Sequence, residues 1–516
     1  MRMQRSSGIL IHPTSFPGPF GIGDLGPQAH AFILRMAEAD QRLWQVLPLG
    51  PTGYGDSPYA SFSSFAGNEL LISPDFLAEE GLLDESALRS IPEFPCERVD
   101  FGWVIPWKRR LLDQAADVFR ERSSGARRQA FESFRAQASS WLPRYALFRA
   151  IKDEYDAKAQ AEGIRGALWN NYWPESLARG ERAALAEETK RKAAAIERYE
   201  VLQFFFEEQW SALKAKANGA GIKIIGDLPI FVAQDSAEVW AEPSLFSLDG
   251  HGRPLEVAGV PPDYFSEEGQ LWGNPLYEWD NHRAQGFAWW IGRLGAALRR
   301  FDVVRVDHFR GFEAYWTVPA GEKTARRGSW KKAPGGELFA ALKQALGEEM
   351  PIIAEDLGFI TEEVKSLRDG LGLPGMRILQ FAFDSGESGT SFDPRNSFLP
   401  HNYVERCVAY TGTHDNDTMV GWLAHAKKVE LDYIDRYLGY APSDRSAALA
   451  RELLKSTAAW AILPMQDLLG LGSDARMNRP STLGGNWAWR MGEGDFTPAL
   501  AKELAEDSRL YGRNLD

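Results

Sequence analysis

The chain has 516 residues, with 71 Asp and Glu against 58 Lys and Arg, a formal charge of −13. That balance excludes a protein built to neutralise nucleic-acid phosphates. A 44% hydrophobic content with 25% charged residues excludes disorder throughout. At about 150 residues per domain, the length fits about three domains or one large α/β barrel with insertions.

The N-terminal apolar run GILI (8–11) stops at His12 and Pro13. It is too short for a signal-peptide core or a membrane span, so a cytoplasmic protein with no membrane partner is expected. Further short, β-branched runs follow: LWQVLPL (43–49), IKIIGD (222–227), VVRVD (303–307), PIIAED (351–356), RILQFAF (377–383), CVAYTG (407–412) and AILPM (461–465). Apolar on both faces, they read as buried parallel strands. Helical patterns lie between many of them, at 28–39, 337–347, 362–370 and 446–460. Eight strands alternating with helices predict an α/β fold, a (β/α)8 TIM barrel. An open doubly wound sheet would place a glycine-rich phosphate loop after the first strand, where this chain has IHPTSFPGPFGIGD.

The expected organisation is barrel strands one and two in 1–75, a helical insertion in 76–215, and strand three in 216–231. A loop-rich insertion follows in 232–300, then strands four to eight and a closing segment in 301–516. The insertion's aromatic stretch, 249–282, is expected to be a binding loop. The two cysteines, Cys96 and Cys407, are too few for a disulfide framework and match no zinc spacing. Both are expected to be buried, inert thiols.

Barrel active sites sit at the C-terminal strand ends. There the chain places Asp227, Asp307, Glu355 with Asp356, and His414 with Asp415. Arg305 lies two residues before Asp307, so both side chains face the same way. A guanidinium beside a carboxylate favours its charged form, which an attacking carboxylate needs. A pair of acids, one ionised and one protonated, is the arrangement of glycosidic-bond chemistry. Asp307 and Glu355 end the fourth and fifth strands, which are expected to be neighbours.

Motifs along almost the whole chain extend this reading. They are SGILIHPTSFPGPFGIGDLG (7–26), GYGDSPYASFSSFAGN (53–68), GDLPIFVAQDSAEVW (226–240), AGVPPDYFSEEGQLWGNPLY (258–277), RVDHFRGF (305–312), IIAEDLG (352–358), THDNDT (413–418) and ARMNRPSTLGGNWAWR (475–490). With them the chain resembles the 4-α-glucanotransferases, the amylomaltases or disproportionating enzymes of glycoside hydrolase family 77 in the α-amylase clan. The resemblance implies Asp307 as nucleophile, Glu355 as acid/base and Asp415 as the third acid. It implies substrate contacts at Ser57, Tyr59, Asp263, Gln270, Trp272, Asn274, Arg305, His308, Asp356, His414 and Asn478, with Asp227 structural. It implies no cofactor and no metal. The implied donors and acceptors are α-1,4-glucans such as maltooligosaccharides and amylose, with glucose as a further acceptor. The alternatives are a retaining α-glucan hydrolase, another transferase of the clan, or a non-catalytic glucan-binding protein.

Overall fold

The computed structural model describes residues 3–262, 266–386 and 392–514. Its strands in chain order are β1 (Ser6–Leu10), β2 (Leu43–Gln45), β3 (Lys223–Leu228), β4 (Glu256–Val260), β5 (Gln270–Pro275), β6 (Val303–Val306), β7 (Ala314–Pro319), β8 (Ser329–Lys332), β9 (Ile352–Ala354), β10 (Gly375–Ile378), β11 (Cys407–Tyr410) and β12 (Trp460–Pro464). The strands β10, β11, β12, β1, β2, β3, β6 and β9 pair in parallel in that order, with β10 and β9 as the two edges. The Ala354 N–H at the end of β9 donates to the Pro374 carbonyl just before β10, at 2.9 Å, and draws the remaining edges together. This is the expected (β/α)8 barrel.

The strands are short because both faces are buried. Every residue of β1, β11 and β12 is inaccessible, and burial of apolar surface on both faces is the main stabilising term. Tyr410 donates its hydroxyl to Gln45 Oε1 at 2.8 Å, joining β11 to β2, which are not neighbours in the sheet, through the interior. Gly226 is required on β3 because a Cβ there would lie 2.1 Å from the Phe301 ring.

The apolar run 377–383 is only half strand. β10 ends at Ile378, and Gln380–Phe383 is a helical turn. There the Gln380 side chain donates to the Asp417 carbonyl at 2.7 Å and bends the chain off the sheet. The run 43–49 is strand only to Gln45. Helices fill the connection before β3, notably Phe101–Arg122, Gly125–Gln137, Leu142–Ala161 and Ala193–Gly219. Phe119, Phe131, Phe204 and Phe205 form their shared core.

The stretch read as loop-rich contains β4 and β5. With β7 and β8 they form a separate antiparallel sheet, in the order β5-β4-β7-β8. Glycine and proline interrupt EVAGV and QLWGNP, so neither segment shows a clean alternation. Cys407 is buried on β11, but Cys96 is exposed, against expectation. No helix among the described residues is long and apolar enough to cross a membrane.

The C-terminal segment locks the barrel's N-terminal end. The buried Arg513 guanidinium donates to the carbonyls of Leu453, Leu454, Ser456, Ala458 and Ser6. Arg5 donates to Leu454, Ser456 and Tyr511. The two cations meet the carbonyl end of helix Arg445–Lys455, where the helix dipole favours positive charge. Arg513→Ala strands several buried carbonyls and is expected to cost roughly 3 kcal/mol. A thermal melt reads this as a clear drop in Tm; an unchanged Tm would show that the latch holds nothing.

Candidate active site

The acids converge because β3, β6 and β9 are consecutive in the barrel. β6 pairs with β3, setting Asp227 opposite Arg305, and with β9, setting Val306 opposite Ala354. Asp307 and Glu355 therefore leave neighbouring strand ends, as expected. Arg305 is the hub. Its Nη1 donates to Asp227 Oδ2 and its Nη2 to Asp307 Oδ1, both at 2.7 Å. The Asp227 side chain is fully buried, whereas that of Asp307 is 29% exposed and open to a reactant. Asp227 is thus a positioning residue for Arg305.

Glu355 is held by main chain. Its Oε2 accepts the His308 N–H at 2.8 Å and its Oε1 the Leu357 N–H at 2.7 Å. Each oxygen has a second lone-pair direction, so the group can still carry a proton. Burial, and then the charge of Asp307, raise its pKa to about 7 against the pull of Arg305. At neutral pH it sits near half-protonation, where a general acid/base works best.

Asp415 stands on the loop after β11. Its Oδ1 accepts from Asn478 Nδ2 at 2.6 Å, and its Oδ2 lies 3.3 Å from His414 Nε2. Burial opposes its charge, but His414 and Asn478 outweigh that and hold it well below the usual carboxylate range. In His414 burial favours the neutral form, and Asp415 outweighs it, so the imidazole pKa is raised. The Asp415 side chain is 47% exposed, which leaves its carboxylate accessible to hydroxyls.

Tyr59 stacks on His414 with centroids 5.1 Å apart and planes at 19°, and Trp487 packs against both. The Tyr59 hydroxyl donates to Asp227 Oδ2 at 2.8 Å. This ring group ties the loop after β2 to the loop after β11. Trp487 escaped the sequence reading of site residues, although it lies inside the quoted 475–490 motif; only the fold brings it to Tyr59. Tyr59→Phe keeps the stack and removes a hydrogen bond to a buried carboxylate. A roughly tenfold fall in kcat/KM is expected, and steady-state rates equal to wild type would contradict the Tyr59–Asp227–Arg305 linkage.

On the opposite side, His308 takes a left-handed backbone conformation with φ of 51°. Burial lowers its pKa to about 4, so it is neutral at pH 7, and its buried Nε2 has no hydrogen-bond partner among the described residues. Trp272 of β5 meets this imidazole edge-on at 4.8 Å. Gln270 accepts the Trp272 indole N–H at 3.1 Å and fixes that ring.

Other expected contacts have structural jobs. Asp356 is 2% exposed; it accepts from the Met376 N–H at 2.7 Å and pairs with Arg368, with Arg377 at 3.6 Å. Its oxygens are thus taken up between β9 and β10. Asn274 donates to the Val232 carbonyl at 2.9 Å, anchoring β5. Ser57 Oγ accepts the Tyr59 N–H at 3.2 Å within a turn. Asp263 lies outside the described residues.

Comparison with known proteins agrees with this geometry. A family described as 4-alpha-glucanotransferase matches residues 11–495. A Thermus thermophilus protein named 4-alpha-glucanotransferase is 50% identical, with 98% of both chains covered. One of the same name from Synechocystis sp. is 49% identical, with 99% of both covered. Among solved structures, the amylomaltase from Streptococcus agalactiae in complex with acarbose superposes with a TM-score of 0.92 at 40% identity, covering 99% of both chains. The chain belongs to the 4-α-glucanotransferase family, glycoside hydrolase family 77, and is an enzyme of that family.

Proposed function

We propose that the enzyme moves a segment of an α-1,4-glucan to the 4-hydroxyl of an acceptor glucan or of glucose, with retention, through a covalent glycosyl-enzyme. The observation that carries this reading is the pairing of Asp307, gripped by Arg305, with a Glu355 raised to about 7 on the adjacent strand end. Retaining enzymes need their two carboxyl groups about 5 Å apart, and neighbouring strands are spaced about 4.8 Å.

In the first step an Asp307 oxygen attacks the anomeric carbon. The C1–O bond of the donor breaks, and its oxygen takes the Glu355 proton. In the second step Glu355, now ionised, accepts the proton of the acceptor 4-hydroxyl. That oxygen attacks C1 and frees Asp307. Asp415, kept ionised by His414 and Asn478, accepts hydroxyls of the reacting sugar and stabilises the positive charge that develops on its ring. His308 offers to a sugar hydroxyl its ring Nε2, which has no partner among the described residues.

Both outcomes, transfer and hydrolysis, pass through the same intermediate. What decides between them is which hydroxyl stands over it. The β5 wall with Trp272 beside His308 supplies apolar surface where a sugar face displaces water. Incubation of the pure enzyme with maltotriose alone tests the proposal. It is expected to give glucose and a ladder of longer maltodextrins. Glucose and maltose without longer products would instead make it a hydrolase.

A further inference from the structure

We propose that Trp330 and Phe359 form a stacking platform for a long α-1,4-glucan on the leaving-group side of the cleft. This rests on the glucan-transfer reading and extends it to substrate length. Trp330 is on β8, the edge strand of the small sheet, and is 40% exposed; Phe359 is 72% exposed. Neither ring is loosely placed. The buried Arg310 guanidinium lies 3.9 Å beneath the Trp330 ring centre and 5.8 Å from that of Phe359. It also donates to the Phe359 carbonyl. Trp316, its cross-strand partner on β7, packs against Trp330 with ring centroids 5.4 Å apart and planes at 67°. One face of the indole is thus held by Arg310, and two-fifths of the residue still faces solvent.

The platform is tied along the chain to the catalytic residues at two points. Arg310 is two residues past His308 in the turn Phe309–Phe312. Phe359 is four residues past Glu355, on the loop whose Leu357 N–H holds the Glu355 carboxyl. Glu355 meets the leaving oxygen, so the loop running on from it borders the departing part of the glucan. Flat aromatic faces take pyranose faces, and a rigid ring loses little entropy on binding. Strand addition by another protein chain is a poor use of this edge. Lys331 and Lys332 sit on it, paired with Glu256 and Glu313, and charged residues blunt edge pairing.

Trp330→Ala and Phe359→Ala, made separately, test this with amylose and with maltotriose as sole substrate. Each is expected to raise KM for amylose roughly three- to tenfold and to leave maltotriose kinetics within twofold. Trp330→Phe should recover most of the amylose affinity. Affinity electrophoresis in amylose-containing gels gives a readout independent of turnover, and both alanine variants should migrate faster there than wild type. Equal KM changes on both substrates, or unchanged amylose affinity and retardation, would overturn the platform. A wild type that makes no ladder from maltotriose yet is retarded by amylose would instead overturn the transfer reading and leave the platform standing.

Discussion

Asp307→Asn is expected to lower kcat on maltotriose by at least about 10⁴-fold with no loss of thermal stability. The amide is isosteric and can still accept from Arg305 Nη2, so the contact at 2.7 Å survives in geometry. What is lost is the anionic oxygen that bonds to the anomeric carbon in the proposed mechanism. Arg305 also holds Asp227 at 2.7 Å, so it keeps a buried counter-charge and the strand ends stay in place. Binding of maltotriose, measured by calorimetry, should stay within about threefold, because most contacts to the sugar come from elsewhere. A variant that retains wild-type turnover would remove Asp307 from the mechanism. The same substitution deletes the charge of Asp307, which after burial is the larger of the two charges that raise Glu355, the other being Asp356. A carboxyl titration of the variant should therefore place Glu355 below about 7.

Glu355→Gln is the second large effect, a fall of about 10³-fold in transfer from maltotriose. Glutamine keeps a single acceptor oxygen for the His308 and Leu357 N–H groups, so one of these two bonds is lost while the side-chain shape is kept, and it delivers no proton. A donor whose leaving group needs none, such as α-maltotriosyl fluoride, should restore the first step to near wild-type rate. The pH dependence has a definite sign. In the proposed mechanism the first step requires protonated Glu355, so wild-type kcat/KM is expected to be present below about 7 and lost as pH rises through that value. With Glu355→Gln and the fluoride donor that alkaline limb should vanish. A limb that persists would assign the titration to another group.

The barrel was legible because its strands are buried on both faces and end in acids. Asp227, Asp307 and Glu355 each follow an apolar run, and the parallel pairing then places them together. The sheet of β4, β5, β7 and β8 was not legible. Its strands are short, β4 and β5 carry Gly259 and Gly273, and the register between these two is bulged. The turn Gln380–Phe383 read as strand because its composition is apolar, while a side-chain bond from Gln380 to the distant Asp417 carbonyl decides its path. Asp356 shows the limit of motif reasoning. Its neighbour Glu355 enters the site, but Arg368, Arg377 and the Met376 amide draw Asp356 into the wall. The group of Tyr59, His414 and Trp487 spans three distant segments, and only the closed barrel brings them into contact.

The covalent step can be caught directly. The Glu355→Gln enzyme, mixed with α-maltotriosyl fluoride, quenched in acid and digested, should carry a maltotriosyl mass on the peptide containing Asp307, and fragmentation should place it on that carboxylate. A glycosyl adduct on any other residue, or fluoride release and transfer products with no adduct at all, would contradict a glycosyl-enzyme on Asp307.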